Sequence, residues 1–313
     1  MEILEVKSTE YNDIIQKPYH VFNSGAFALL NSKKCEEVIF LLFRENKYRI
    51  GMIGGVKDNC FLSPFSAPFG GLSYLSEDIK LQYIEESIRL LKTWGIKKKF
   101  DAINITLPPI IYNSSFISKQ INCLWRENFN ISEIDLNYSF DLDLFNDNYQ
   151  EIIWYNARKN LKIAFDGHFS FIECITGAEK EMAYDIILKN RESRGFPLRM
   201  TWSQVNETTQ LIKADFFILY NQDKVPVASA IVFHVTQTIV QVVYWGDLPG
   251  YSANRPMNFL SFKVFEYYKT AGKKIVDIGP STENSVPNYG LAEFKESLAC
   301  TIDPKLKFSI NLT

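Results

Sequence analysis

Four side chains in one stretch pose the first chemical question. Tyr155, Arg158, Lys159 and Lys162 fall at i, i+3, i+4 and i+7, so a helix over this segment carries them on one face. Three cations together could grip a phosphate, on a tRNA end or a nucleotide-linked acceptor. The same pattern also fits an ordinary solvated face. Asn254 and Arg255 stand just before an apolar run that opens with Pro256, a residue tolerated at the first helical position. Helix starts favour anions. Arg255 is therefore a candidate phosphate contact, or else a plain surface arginine. Tyr244 and Asp247 end a strand along which Val243 and Trp245 face away from Tyr244. Gly279-Pro280-Ser281-Thr282 ends another strand, at a place where open sheets border ligands or simply turn. Asn288 and Tyr289 precede the last helix.

Other chemistries find little support. The histidines His20, His168 and His234 are far apart and lack metal-ligand spacing, so no metal is expected. There is no nucleophile elbow, no phosphate-cradling Walker loop and no dinucleotide glycine fingerprint. A net charge of −2 predicts no DNA partner. The five cysteines are scattered and read as reduced thiols. No signal-like leader and no apolar run long enough for a membrane span are present, so a cytoplasmic protein is expected.

The elements that must position these residues can be read along the 313 residues. Strands are predicted at 35–43, 48–56 and from Asn59, then a helix over 77–93 stopped by Gly95. A strand at 101–107, a helix at 116–127 and a strand at 131–142 follow. The Asn/Asp-rich stretch Asn146–Tyr149 is the expected boundary between domains 1–146 and 147–313. Beyond it come helices at 149–165, 179–193 and 202–213. Strands at 216–220, 225–234 and 239–245, helix 256–270, strand 275–278, helix 291–300 and strand 306–312 close the chain. Lys92-Thr93-Trp94-Gly95 and Lys269-Thr270-Ala271-Gly272 end corresponding helices, each followed by lysines and a short strand carrying Asp101 or Asp277. The matched order predicts a duplication, with 225–300 equivalent to the shorter stretch 48–106.

Antiparallel strands followed by helix, strand, helix, strand resemble an N-acetyltransferase of the GNAT type. The segments Ser63-Pro64-Phe65-Ser66-Ala67-Pro68-Phe69-Gly70-Gly71, Trp154–Ala164, Val243–Asp247, Asp277-Ile278-Gly279 and Gly290–Lys295 further resemble, in this order, motifs of Fem-like transferases. The resemblance runs over roughly residues 20–303. It implies an α/β (α+β) chain of two tandem GNAT-like domains, each a mixed, largely antiparallel sheet flanked by helices. It also implies bacterial peptidoglycan cross-bridge chemistry: an acyl or aminoacyl group passes from acyl-CoA or aminoacyl-tRNA to a small-molecule or muropeptide-like amine. In such folds a splayed strand pair offers backbone groups to the donor, and catalysis rests on positioning and an oxyanion donor.

On this resemblance Lys295 matches the family's Phe-Lys pair, as a neutraliser of phosphate or of developing charge. Tyr289 matches the region of the acetyltransferase general acid, with Tyr244 as a further catalytic candidate. Arg158, Lys162, Asp247, Asn254, Arg255, Ser281 and Asn288 are then expected to bind donor or acceptor. The first-domain SPFSAPFGG loop is either an acceptor border or a packed turn. One departure stands out. Asp247–Pro256, DLPGYSANRP, has a single glycine where a CoA pyrophosphate loop has several. The alternative expectation is a non-catalytic binding protein that retains a degenerate fold.

Overall fold

A computed structural model describes residues 1–312. The chain divides into two compact units. The first contains Met1–Leu136, Thr282–Val286 and the residues from Asp303 onward; the second contains Asn137–Ser281 and Pro287–Ile302. The stretch Asn146–Tyr149, expected as a boundary, lies within the second unit.

In the first unit the strand order is Glu2–Val6, Glu37–Arg44, Tyr48–Lys57, Cys60–Ser63, Ala102–Thr106 and the last strand of the chain, Thr301–Asn311. The first four are antiparallel neighbours. Cys60–Ser63 then runs parallel to Ala102–Thr106, with Phe61 opposite Ile103, and the last strand closes antiparallel, with Phe308 opposite Ile105. In the second unit the order is Ser170–Glu173, Ala214–Tyr220, Pro226–His234, Ile239–Asp247, Ile275–Pro280 and Asn130–Asp141. Here too antiparallel pairs lead to one parallel pair, Ile239–Asp247 with Ile275–Pro280, and an antiparallel closing strand. The duplication seen in the sequence is thus a repeated topology, with one exchange. The strand that ends the first repeat, Asn130–Asp141, closes the second sheet. The strand that ends the second repeat closes the first.

Burial follows the sequence pattern. Pro226–His234 is apolar almost throughout and buried on both faces, as a central strand must be. Helix Pro256–Thr270 packs on it, and Phe265 stacks on Phe140 with ring centroids 4.3 Å apart. In the first unit Tyr11, Phe40, Leu42 and Ile53 form a core under the edge strands.

Several sequence expectations are corrected in detail. Gly95 does not stop its helix, which runs Leu81–Lys98 and ends at Lys99 in the left-handed region. Gly95 is a contact glycine instead: a Cβ there would sit 2.7 Å from both Ile103 Cδ1 and Leu312 Cδ1. The helix expected over 149–165 is two, Tyr149–Ile152 and Tyr155–Asp166. Buried Ile153 and extended Trp154, whose N–H donates to Ser297 O at 3.0 Å, break it. Strand Glu2–Val6 and helix Ser8–Ile14 were not expected from the sequence.

Candidate active site

The second unit opens where its parallel pair stops pairing. Ile239, Val240 and Gln241 lie opposite Ile275, Val276 and Asp277, but beyond them, up to Asp247 and Pro280, the two strands no longer pair with each other. A bulge accounts for the divergence. The register of Ile275–Pro280 on Asn130–Asp141 shifts between Asp277 and Gly279. Gly279 has φ +71°, a conformation glycine adopts without steric cost. By contrast, all four residues of Cys60–Ser63 in the first unit have a partner in Ala102–Ile105.

Asp277 pins this bulge. It is fully buried and accepts hydrogen bonds from Gly279 N at 2.9 Å, Asn137 Nδ2 at 2.8 Å and Gln241 Nε2 at 2.8 Å. A buried carboxylate requires such donors.

Lys295 comes to the same place from the last helix, Tyr289–Ser297. Its side chain is buried, and Nζ donates to Gly279 O at 2.8 Å and Pro280 O at 2.9 Å. Nζ also lies 5.2 Å from the centre of the Tyr138 ring. An ammonium has three N–H bonds, so these carbonyls leave one untaken. Burial pushes Lys295 down to about 7; Asp277 and Cys300 pull it back up, and the charge of Arg191 pushes it further down.

Ser281 and Asn288 frame the loop between bulge and helix. Ser281 is buried with an unpartnered Oγ, and its carbonyl accepts from Asn288 N at 2.8 Å. Asn288 is the N-cap of the helix, its Oδ1 accepting from Leu291 N at 3.1 Å. Lys295, Ser281 and Asn288 are therefore neighbours around one loop. Tyr289 is not with them. It is 78 % exposed at the first turn, while Lys295 lies about 9 Å further along the axis at 1.5 Å per residue.

Tyr244 and Asp247 belong to the other splayed strand. Tyr244 is half-buried, and burial raises its hydroxyl above the ordinary value, opposed by a hydrogen bond to the backbone at Met200 and by Arg191 and Arg199. Asp247 is buried; that burial raises its carboxyl, against the pull of Arg194 at 3.4 Å. Asn190 Nδ2 donates to Asp247 O at 2.6 Å, and its side chain fills the space a Cβ on Gly246 would need. Arg191 links the two sides, since its charge acts on both Lys295 and Tyr244. Its Nε is buried and unpartnered. Sequence reasoning missed Arg191, Arg194 and Arg199, although three arginines in KNRESRGFPLR were a visible signal.

The remaining expected residues lie elsewhere. Arg158 and Lys162 are exposed on helix Tyr155–Asp166, with Arg158 Nη2 turned back 3.5 Å from Glu151 O and 3.4 Å from Ile153 O. Asn254 and Arg255 are exposed ahead of helix Pro256–Thr270, Arg255 with φ +56°. Among the described residues, no group of three or more His, Cys, Asp or Glu side chains could hold a metal ion. No helix among them is long and apolar enough to cross a membrane.

The sequence matches no protein-family profile and no curated protein. Solved structures do resemble it. FemX superposes with a TM-score of 0.70 at 10 % identity, over 99 % of this chain and 97 % of that one. L-PGS from Bacillus licheniformis gives 0.60 at 12 %, over 96 % and 91 %. A tandem GNAT protein from the clavulanic acid biosynthesis pathway gives 0.56 at 8 %, over 100 % and 98 %. At these identities the likeness is one of fold: the chain has a two-domain GNAT-like fold, as its sequence led us to expect.

Proposed function

We propose that this tandem GNAT-like chain is an acyltransferase that moves an aminoacyl or acyl group from an activated carrier to an amine. One observation carries the reading. A buried ammonium, Lys295, sits on the carbonyls of Gly279 and Pro280, where two parallel strands part. The gap offers backbone N–H and C=O groups to an extended donor. The acceptor amine attacks the donor carbonyl and a C–N bond forms. The C–O or C–S bond to the carrier then breaks, and the amine's proton ends on the departing oxygen or sulfur. Lys295 stabilises the oxyanion of the tetrahedral intermediate through its remaining N–H. Arg191, with its unpartnered Nε, meets an anionic group of donor or acceptor.

An aminoacyl-tRNA end suits the donor better than acyl-CoA. The loop Leu248–Arg255 has one glycine, Gly250, and an exposed Arg255 at the helix start, not a glycine-rich pyrophosphate cradle. The muropeptide-type amine acceptor and the tRNA-borne donor are what the sequence resemblance to Fem-like transferases implies, and FemX is among the structures that share the fold.

The test is a single-turnover assay with aminoacyl-tRNA and a UDP-linked muropeptide, run beside acetyl-CoA with the same acceptor, with amide product read by mass spectrometry. Amide from the aminoacyl-tRNA arm is expected. Amide from acetyl-CoA alone would reassign the donor. No product, and no rise in melting temperature with any donor, would overturn the reading in favour of a binding scaffold.

A further inference from the structure

One motif that stands out in the sequence takes no part in the splayed strands. Tyr155, Arg158, Lys159 and Lys162 are all exposed on helix Tyr155–Asp166. At 3.6 residues per turn, the three cations lie within roughly 60° of Tyr155 around the helix axis. The opposite side carries Ala157, Leu161 and Ala164, which are buried in the core of the second unit. Core packing therefore fixes which face the cations turn to solvent. Asp166, at the last position, is the helix's one carboxylate. Among the described residues, no carboxylate pairs with Arg158, Lys159 or Lys162. On helix Pro256–Thr270, which packs beside it, Lys263 pairs with Glu266 and Lys269 with Asp143. The strip is thus a local positive field on a chain whose net charge is −2.

The arrangement selects the partner. Cations occupy the middle of the exposed face, and apolar side chains sit at its margins. Ile163 and Phe165 lie about 80° to either side of Tyr155. Phe165 also packs edge-on against Phe259 and Phe262, with ring centroids 5.6 and 5.2 Å apart. A helix that lies in a lipid interface turns an apolar stripe to the membrane instead. Here the ring of Tyr155, 78 % exposed, heads a row of cations. That combination fits a phosphate backbone with an unpaired base against the ring. From Tyr155 to Lys162 the strip extends about 10 Å along the axis, roughly the length of three phosphates in a duplex strand. The strip starts at the helix that carries Lys295: Trp154 N donates to Ser297 O at 3.0 Å, and Ser297 ends that helix. A polymer lying along the strip therefore has one end beside the helix that supplies the ammonium.

We propose that the exposed face of helix Tyr155–Asp166 docks the RNA backbone of the donor's carrier, with Arg158, Lys159 and Lys162 on phosphates and Tyr155 against a base. This rests on the acyl-transfer reading above, with tRNA as the carrier.

The experiment measures binding apart from turnover. Fluorescence anisotropy with deacylated, end-labelled tRNA gives Kd for the full-length chain from about 50 to 200 mM salt. R158Q/K159Q/K162Q is expected to bind at least about 10-fold more weakly at the low-salt end, with a salt slope shallower by about 2–3. K162Q alone should lower the slope by about 1. R158K/K159R/K162R keeps the charges and should match wild type. Y155A should weaken binding by about 5-fold or more with the slope unchanged. All four side chains are exposed, so melting temperatures should stay at the wild-type value. Unchanged Kd and slope in the triple glutamine variant would overturn the strip. So would binding of wild type to phosphatidylglycerol vesicles that this variant loses while its tRNA binding stays intact. Amide formation from aminoacyl-tRNA with an unchanged Kd in the variant sinks the strip and leaves acyl transfer standing. Strip-dependent tRNA binding without amide does the reverse.

Discussion

Lys295 Nζ lies 2.8 Å from the carbonyl oxygen of Gly279, and that bond ties the last helix to the bulge that parts the second sheet. The helix supplies a charge and the bulge supplies a reason for it to stay. The carbonyls of Gly279 and Pro280, just past the shift at Asp277/Gly279, accept from Lys295 Nζ, and buried carbonyls need such donors. Structure and proposed chemistry therefore draw on the same ammonium.

Substitution of Lys295 should separate the two roles. Lys295→Met is expected to lower turnover by about 100-fold or more, the usual loss for one oxyanion donor. Lys295→Arg keeps the charge but not the compact ammonium, and is expected to rescue stability more than rate. Melting temperatures and kcat measured side by side decide it; wild-type turnover in Lys295→Met would remove the residue from the mechanism.

The pH response of Lys295 has a definite sign. Burial holds it near about 7, against 10.5 for a free lysine. The oxyanion role needs the ammonium, so kcat/KM should fall as pH rises through about 7. Stability runs the other way. Between about 7 and 10.5 the unfolded chain binds the proton that the folded chain has lost, so this residue's contribution rises with pH. The melting-temperature difference between wild type and Lys295→Met should therefore shift in favour of wild type from pH 6.5 to pH 9.5, by roughly a few degrees.

Arg191 is expected to act in binding. Its Nε is buried without a partner, and burial lowers the guanidinium from its ordinary value. Arg191→Gln should weaken donor or acceptor binding by about 10- to 100-fold, the loss of one charged hydrogen bond, while the fold persists. Calorimetric titration with each ligand identifies which one Arg191 meets.

A second buried charge, away from the splayed strands, should govern acid stability. Asp215 accepts from Tyr268 at 2.7 Å and lies 2.6 Å from His234 Nε2. Burial alone would raise its carboxyl; the hydrogen bonds from His234 and Tyr268 outweigh that and hold it below the ordinary value. Its contribution is complete above the unfolded carboxylate value near 3.8 and is lost as pH falls through the lower folded value. Asp215→Asn should cost about 2–4 kcal/mol at neutral pH and flatten the acid limb of the denaturation profile.

The sequence was most informative where local chemistry and tertiary structure agree. The strand at 225–234 and the helix at 256–270 stand in the structure as Pro226–His234 and Pro256–Thr270, because a long apolar run and a proline at the first helical position have few other uses. Gly95 was misread because a helix-stopping glycine and a close-packed one look alike in sequence. Gly95→Ala should cost about 1–3 kcal/mol through overpacking, where a true stop would tolerate it differently. The position of Lys295 was legible only through its resemblance to a Phe-Lys motif. Its partners, the carbonyls of Gly279 and Pro280, were not, since a bulge depends on pairing across the sheet. The arginines of the KNRESRGFPLR stretch were overlooked because solvated charge is the commoner meaning of such a run.

The exchange of closing strands sets an order of events in synthesis. Ala102–Thr106 leaves the ribosome about 200 residues before its neighbour in the finished sheet, Lys307–Asn311. At ordinary elongation rates the wait is about 10–40 s. Through that interval the first sheet has an open edge, while Asn130–Asp141, the nearest strand in sequence, is held for Ile275–Pro280. The nascent first half thus carries an unpaired strand edge until the second half is made, and a chain cut midway leaves each half without its closing strand.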